Sequence, residues 1–111
     1  MIQVEQDDTV LVVTVHETRL DAESAMAFLQ DATDAVKTRP RVVFDLSAVG
    51  FMDSTGIGAL VGVTQSMETG GGVAVFGLTP AVEMVFTLLR MDMLFAIAPD
   101  RTSALAQVRD A

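Results

Sequence analysis

The chain has 111 residues, half of them apolar, and a formal net charge of −8 at pH 7. Such a length suits one domain with a single core, and the apolar content excludes a disordered chain. The absence of Cys excludes disulfides and thiolate chemistry, and the few, scattered Lys and Arg argue against a surface for nucleic acid or anionic lipid. Because the sequence shows neither a signal-peptide pattern nor an apolar run of about 18 residues, we expect a cytoplasmic protein.

The first third of the chain predicts a hairpin followed by a helix. A short alternating stretch around Ile2 and a run of β-branched residues over Thr9–His16 are typical of two strands, with the first at the sheet edge. From Leu20 to Lys37 apolar residues recur at helical spacing, and Asp21 is a suitable cap. Pro40 marks the end of that helix, because the residue before a proline leaves helical geometry.

The rest of the chain alternates strands and helices. Arg41–Leu46 is continuously apolar at its centre, which indicates burial on both faces. A helix is predicted from just after Asp53 to about Thr69, ended by the glycine run 70–72. The remaining predicted elements are a strand over Val73–Gly77, a helix opened by Thr79-Pro80, a strand over Leu94–Ala98 and a helix opened by Pro99-Asp100.

This order predicts an α/β fold. Helical crossovers between successive strands favour a mainly parallel sheet, here of about five strands, with an N-terminal antiparallel hairpin and about four helices. We expect a single domain over residues 1–111.

The candidate site lies between residues 41 and 60. Asp45 ends a buried strand, and Asp53, Ser54 and Thr55 stand just ahead of a helix. A helix N-terminus carries unpaired backbone N–H groups and partial positive charge. A hydroxyl at that position is therefore either a cap or a place where chemistry occurs, and the residues alone leave both interpretations open.

Three glycines interrupt the same helix at positions 56, 58 and 62. Each costs about 0.5 to 1 kcal/mol relative to Ala inside a helix. Their presence indicates either a bare surface on which another protein docks or close packing against neighbouring elements.

The sequence does not contain the residue patterns of several common enzyme classes. The single His16 has no Cys beside it to build a metal site, and Ser54 lies in M-D-S-T-G rather than in the G-x-S-x-G turn of hydrolases. The glycine run 70–72 follows a helix instead of opening one, so a phosphate loop is not indicated. A receiver-type phosphoacceptor at Asp45 would need a Lys after the last strand, whereas the only Lys is Lys37. We expect no enzyme activity, metal or cofactor, and an unrecognised enzyme stays a remote alternative.

Two separate segments carry a family resemblance. Residues 44–47 (FDLS) and 51–60 (FMDSTGIGAL) resemble STAS domains, and in particular the free-standing anti-sigma factor antagonists of bacteria. The resemblance extends to the opening hairpin, to Leu20–Ala22 and to Leu94–Ile97. The chain departs from many members at 16–18 (HET), where a Gly is common, which affects the shape of that loop.

The resemblance implies a partner-switching module. Carried over, the first hydroxyl after the Asp is Ser54, which a serine kinase that is itself an anti-sigma factor would phosphorylate. The unphosphorylated chain would bind that kinase and free the sigma factor, and a metal-dependent serine phosphatase would reset the switch. ATP and Mg²⁺ would belong to those partners. The surface near the site would include Asp45, Asp53, Thr55, Gly56 and Gly58.

We also expect a monomer, and the acidic charge and the lack of a long apolar run predict no nucleic-acid or direct membrane contact. Another use of the fold stays open, as a scaffold or regulatory subunit of a stress-signalling complex or a membrane transporter.

Overall fold

A computed structural model describes residues 1–68 and 70–109. Within them the strands are β1 (Ile2–Asp7), β2 (Val10–Val15), β3 (Arg19–Leu20), β4 (Arg41–Asp45), β5 (Phe51–Met52), β6 (Gly72–Phe76) and β7 (Ala96–Ala98). The α-helices are α1 (Ala25–Val36), α2 (Ser54–Thr64), α3 (Pro80–Leu88) and α4 (Arg101–Arg109), and a short 3₁₀ helix covers Met91–Met93.

Five strands form one mixed sheet in the order β1-β2-β4-β6-β7. β1 runs antiparallel to β2 at the sheet edge, and the other neighbours pair in parallel. The predicted α/β fold, with its N-terminal hairpin, five-stranded sheet and four helices, is confirmed. The central position of β4 explains its continuous apolar run, because Val42 and Phe44 face one apolar cluster and Val43 faces the other.

The two clusters lie on opposite faces of the sheet. The larger one contains buried side chains of α1, α2 and α3, including Phe28, Leu60 and Phe86. The smaller one packs α4, through Ala104 and Val108, against the other face. Both faces are therefore covered, as in other parallel sheets with helical crossovers.

The first helix begins later than the sequence predicts. Leu20 is fully buried in β3, which pairs in parallel with β5 in a separate two-stranded sheet. A turn then leads to Ser24, whose Oγ donates to the Arg19 carbonyl at 2.7 Å and accepts from the Asp21 N–H at 3.1 Å. Asp21 is thus not the cap of α1, because its carboxylate accepts from the Glu23 N–H inside that turn.

The second helix ends earlier than predicted. α2 stops at Thr64, and the predicted end at Thr69 lies outside the described residues. Gly70 and Gly71 belong instead to the loop before β6, and Gly72 is the first residue of that strand. Gly70 has a φ of 86°, and a Cβ on Gly71 would lie 1.8 Å from the Pro40 carbonyl oxygen. The prediction that this run ends the helix is wrong, because α2 already ends at Thr64 and Gly71 instead allows a close backbone approach to Pro40.

The last strand is also shorter than predicted. Leu94 and Phe95 close the 3₁₀ segment, with both backbone N–H groups donating to the Met91 carbonyl, so β7 begins only at Ala96. Phe95 is buried against Phe86, with ring centroids 6.0 Å apart. The predicted helix starts at Pro80 and just after Asp100 are confirmed.

Candidate functional site

A short strand pair fixes the start of α2. β3 and β5 pair Arg19 with Phe51 and Leu20 with Met52, and the Leu20 and Met52 side chains are buried. Asp53 follows β5 directly, and its backbone N–H donates to the Leu20 carbonyl at 3.4 Å. Ser54, the first residue of α2, is therefore held at a defined place beside the sheet.

Asp53 caps the helix. Its carboxylate Oδ1 accepts a hydrogen bond from the Gly56 N–H at 3.0 Å, and its carbonyl accepts from the Ile57 N–H at 3.0 Å. The side chains of Ser54 and Thr55 make no hydrogen bond within residues 1–68 and 70–109, and both residues are exposed. Capping is thus the role of the Asp53 carboxylate, and the Ser54 hydroxyl faces solvent at the positive end of a helix.

The three glycines of α2 serve different purposes. A Cβ on Gly56 would lie 2.0 Å from the Leu20 carbonyl oxygen, and a Cβ on Gly62 would lie 3.1 Å from Leu29 Cδ1. These two positions serve close packing. A Cβ on Gly58 would meet nothing within 4 Å, and this residue is exposed. The bare-surface interpretation therefore holds for Gly58 alone.

Asp45 organises the loop before β5. Its Oδ1 accepts from the Ser47 N–H at 3.0 Å and from the Ser47 hydroxyl at 2.7 Å. Gly77 passes close to the same loop and has a φ of 78°. A Cβ on Gly77 would lie 2.9 Å from Ser47 Cβ. The hydrogen bonds of the Asp45 carboxylate are therefore made within this loop and not to α2. A role of Asp45 in partner binding stays a prediction.

Arg19 and Phe51 form an exposed pair on the same short sheet. The Arg19 guanidinium lies 4.2 Å from the centroid of the Phe51 ring, and its Nε lies 3.1 Å from Asp21 Oδ2. The hydrogen bond from Arg19 holds the pKa of the Asp21 carboxyl below its usual value. This pair was not predictable from the sequence, because two-residue strands show no periodicity.

An apolar groove adjoins Thr55. It has a volume of about 210 Å³ and lies between the start of α2 and the first part of α1. It is lined by Ala22, Ala25, Met26, Leu29, Thr55, Gly58 and Ala59. Met26, placed on the apolar face of α1 by its spacing, is 64% exposed at the rim. The groove was not predictable from the sequence, since its two walls come from segments about 30 residues apart.

Metal binding and membrane insertion are not supported by the described part of the chain. Residues 1–68 and 70–109 hold no group of three or more His, Cys, Asp or Glu side chains able to bind a metal ion. His16 lies at the exposed end of β2, with Nε2 2.9 Å from Gln3 Oε1. Among the helices of the same residues, none is long and apolar enough to cross a membrane.

Comparison with known proteins identifies the family. The model of the STAS domain matches residues 1–104. The chain belongs to the STAS domain family. Among solved structures, this STAS chain is similar to an anti-sigma factor antagonist from Mycobacterium paratuberculosis, with 32% identity, a TM-score of 0.88, and coverage of 98% of this chain and 93% of that one. It is also similar to a putative anti-sigma factor antagonist from Thermotoga maritima, with 25% identity, a TM-score of 0.87, and coverage of 97% and 94%.

A third structure shares the fold in a different setting. The murine anion transporter Slc26a9 matches 96% of this STAS chain over 19% of the transporter's length, with 17% identity and a TM-score of 0.78. Proteins of this fold therefore occur both as free-standing antagonists and as part of a larger chain. The resemblance stated from residues 44–47 and 51–60 is confirmed at the level of the family.

Proposed function

We propose that this STAS chain is an anti-sigma factor antagonist that is switched by phosphorylation of Ser54. The observation that carries the proposal is the exposed Ser54 hydroxyl at the first position of α2, while Asp53 satisfies the helix cap. The unphosphorylated chain binds an anti-sigma factor serine kinase and releases the sigma factor. A metal-dependent serine phosphatase restores this form. The similarity to antagonist structures at 32% and 25% identity supports this assignment.

Phosphoryl transfer to Ser54 uses groups from both proteins. The kinase brings ATP and Mg²⁺ and accepts the hydroxyl proton, and the Ser54 oxygen attacks the terminal phosphorus as the bond to ADP breaks. This chain contributes the acceptor, its fixed position after β5 and the partial positive charge of the helix end. It supplies no cofactor of its own.

The expected effect of the phosphate is electrostatic. It adds about −1.5 to −2 charges at neutral pH, directly beside the Asp53 carboxylate, on a chain whose formal net charge is already −8. The backbone N–H groups at the start of α2 offset part of this charge locally. We therefore expect the fold to persist while the partner surface becomes repulsive to the kinase.

Phosphate incorporation tests the site. The purified anti-sigma kinase and Mg-ATP are incubated with the wild-type chain, with Ser54→Ala and with Thr55→Ala, which removes the adjacent exposed hydroxyl as a matched control. Intact-mass spectrometry should show one phosphate on the wild type and on Thr55→Ala, and none on Ser54→Ala. Uptake by Ser54→Ala at the wild-type rate would show that the acceptor is another residue.

A scaffold role is the second candidate, favoured by the occurrence of the fold within a transporter chain. In that role Ser54 need not be phosphorylated, and the chain would sit in a larger stress-signalling or transport assembly. A free-standing switch in the cytoplasm should instead behave as a monomer of 11.8 kDa. Light scattering after size-exclusion chromatography of the native protein separates the two. An enzyme would require turnover by the chain alone, whereas the Asp53 carboxylate beside Ser54 is engaged as the helix cap and makes no hydrogen bond to the Ser54 side chain among the described residues.

A further inference from the structure

The apolar groove beside Thr55 continues along α1. A second depression, of about 510 Å³, is lined by Leu29, Gln30, Thr33 and Asp34. Leu29 lines both, so the two depressions adjoin along α1, and together they are called the groove here. From Met26 to Asp34 this groove follows α1 for about 12 Å, which is roughly two helical turns.

The chemistry of the groove changes along its length. The end near Ser54 is apolar, with the buried Ala25 and Ala59 as its floor and the exposed Met26 at its rim. Gly58 has no side chain, and a Cβ built on it would meet nothing within 4 Å, so this end has room for a side chain from a partner protein. The far end has the more polar lining, with Gln30, Thr33 and the exposed Asp34.

We propose that this groove seats an amphipathic segment of the kinase that phosphorylates Ser54. An apolar side chain of that segment lies between Met26 and Gly58, and a basic side chain faces Asp34. The inference rests on the proposed function and adds to it the surface and the chemistry by which the partner is recognised. Amphipathic helices commonly bind in this way, with apolar anchors in a groove and charged residues at its rim.

Two observations select this occupant. The first is proximity, because Thr55 lines the groove and directly follows Ser54, so a kinase placed over Ser54 lies next to the groove's apolar end. The second is charge, because the net charge of −8 and the Asp34 carboxylate favour a basic partner segment.

The same placement links phosphorylation to release. A phosphate on Ser54 holds strongly bound water at the edge of the groove, next to Thr55. An apolar side chain entering the groove would have to displace part of that water, which is unfavourable when no hydrogen bond replaces it. Phosphorylation would thus weaken docking without any rearrangement of α1 or α2.

The chain also supplies a matched control for the groove. Met84 on α3 is 64% exposed, the same fraction as Met26, and it does not line the groove. Leu88, Met93 and Leu94 are further exposed apolar side chains that do not line the groove. The same substitution at Met26 and Met84 therefore tests the groove against a general effect of charge on an apolar surface.

The first measurement is the affinity of the purified kinase for each unphosphorylated variant. Met26→Glu should weaken binding by about tenfold or more, and Met84→Glu should change it by less than about twofold. Gly58→Met, which fills the groove from α2, should weaken binding as Met26→Glu does. All three positions are exposed, so thermal unfolding is expected to confirm that each variant is folded. Equal effects at Met26 and Met84, or an effect at Met84 alone, would overturn the groove assignment.

The second measurement tests charge complementarity. Asp34→Lys should weaken binding and reduce its dependence on salt, whereas Asp31→Lys, an identical change at an exposed position outside the groove, should have a smaller effect. Equal effects of the two changes would contradict a basic side chain at Asp34.

The outcomes separate this inference from the function on which it rests. If the wild type takes phosphate on Ser54 and binds the kinase, but Met26→Glu behaves as wild type, the groove is not the docking site and the switch stands. If the wild type neither binds nor accepts phosphate, the switch fails and the groove assignment falls with it. A dimer of this chain that Met26→Glu abolishes, with unchanged kinase binding, would assign the groove to a second copy instead.

Discussion

The Asp53 carboxylate accepts a hydrogen bond from the backbone N–H of Gly56 at 3.0 Å. This bond satisfies a free donor of α2 with the residue before Ser54, so the helix cap does not depend on the serine. Asp53 therefore has the structural role of capping α2, and the adjacent Ser54 is available for modification. A modified Ser54 would leave the cap in place, which fits a switch that changes the surface and keeps the fold.

Substitutions at Asp53 should separate its cap from its charge. Asp53→Ala removes the acceptor for the Gly56 N–H and should lower the free energy of unfolding by about 0.5 to 2 kcal/mol. Asp53→Asn keeps a side-chain oxygen in place and should lose much less. Urea unfolding followed by circular dichroism measures both. Wild-type stability in Asp53→Ala would show that the cap contributes nothing.

Alanine substitutions at Gly56 and Gly58 should have opposite effects on stability. A Cβ on Gly56 would lie 2.0 Å from the Leu20 carbonyl oxygen, and relieving that contact requires a backbone shift that should cost about 1 to 3 kcal/mol. A Cβ on Gly58 meets nothing within 4 Å, so Gly58→Ala should raise the free energy of unfolding by about 0.5 to 1 kcal/mol. Equal changes at the two positions in urea unfolding would contradict the packing described for α2.

These two glycines show what the sequence could and could not predict. Both are unusual residues in a helix, but only the structure shows that Gly56 passes the Leu20 carbonyl while Gly58 is open. The pairing of β3 with β5 that creates this approach was not predictable, because two-residue strands have no detectable alternation.

Longer elements were predictable because burial imposes a pattern on them. The continuous apolar run of β4 indicated a strand covered on both faces, and the structure places it at the centre of the sheet. The position of Ser54 at the start of a helix also followed from the sequence. The groove did not, since Met26 has the spacing of a core residue and lies at the edge of the apolar face, where it is 64% exposed.

The start of α4 should give the chain a measurable response to acid. The Asp100 carboxylate accepts from the Ser103 N–H at 2.8 Å, and this hydrogen bond holds the pKa of Asp100 below its ordinary value of 3.8. A lowered pKa in the folded state means that the carboxylate stabilises the fold above pH 3.8, and that this contribution is lost as the pH falls through the lowered value.

Comparison with Asp100→Asn isolates this contribution, because the amide keeps an acceptor oxygen and does not titrate. The midpoint of thermal unfolding should be higher for the wild type at neutral pH, and the difference should shrink as the pH falls below 3.8. A difference that stays constant over that range would show that the ionisation of Asp100 does not contribute.

The most direct test of the switch is the affinity of the kinase for the chain with and without phosphate on Ser54. The fully phosphorylated protein, with its site assigned by tandem mass spectrometry, is compared with the same sample after treatment with a metal-dependent serine phosphatase. Phosphorylation should weaken binding by about tenfold or more with little change in the thermal midpoint, and the phosphatase should restore the original affinity. Equal affinity of the two forms would contradict the proposal that Ser54 controls partner binding.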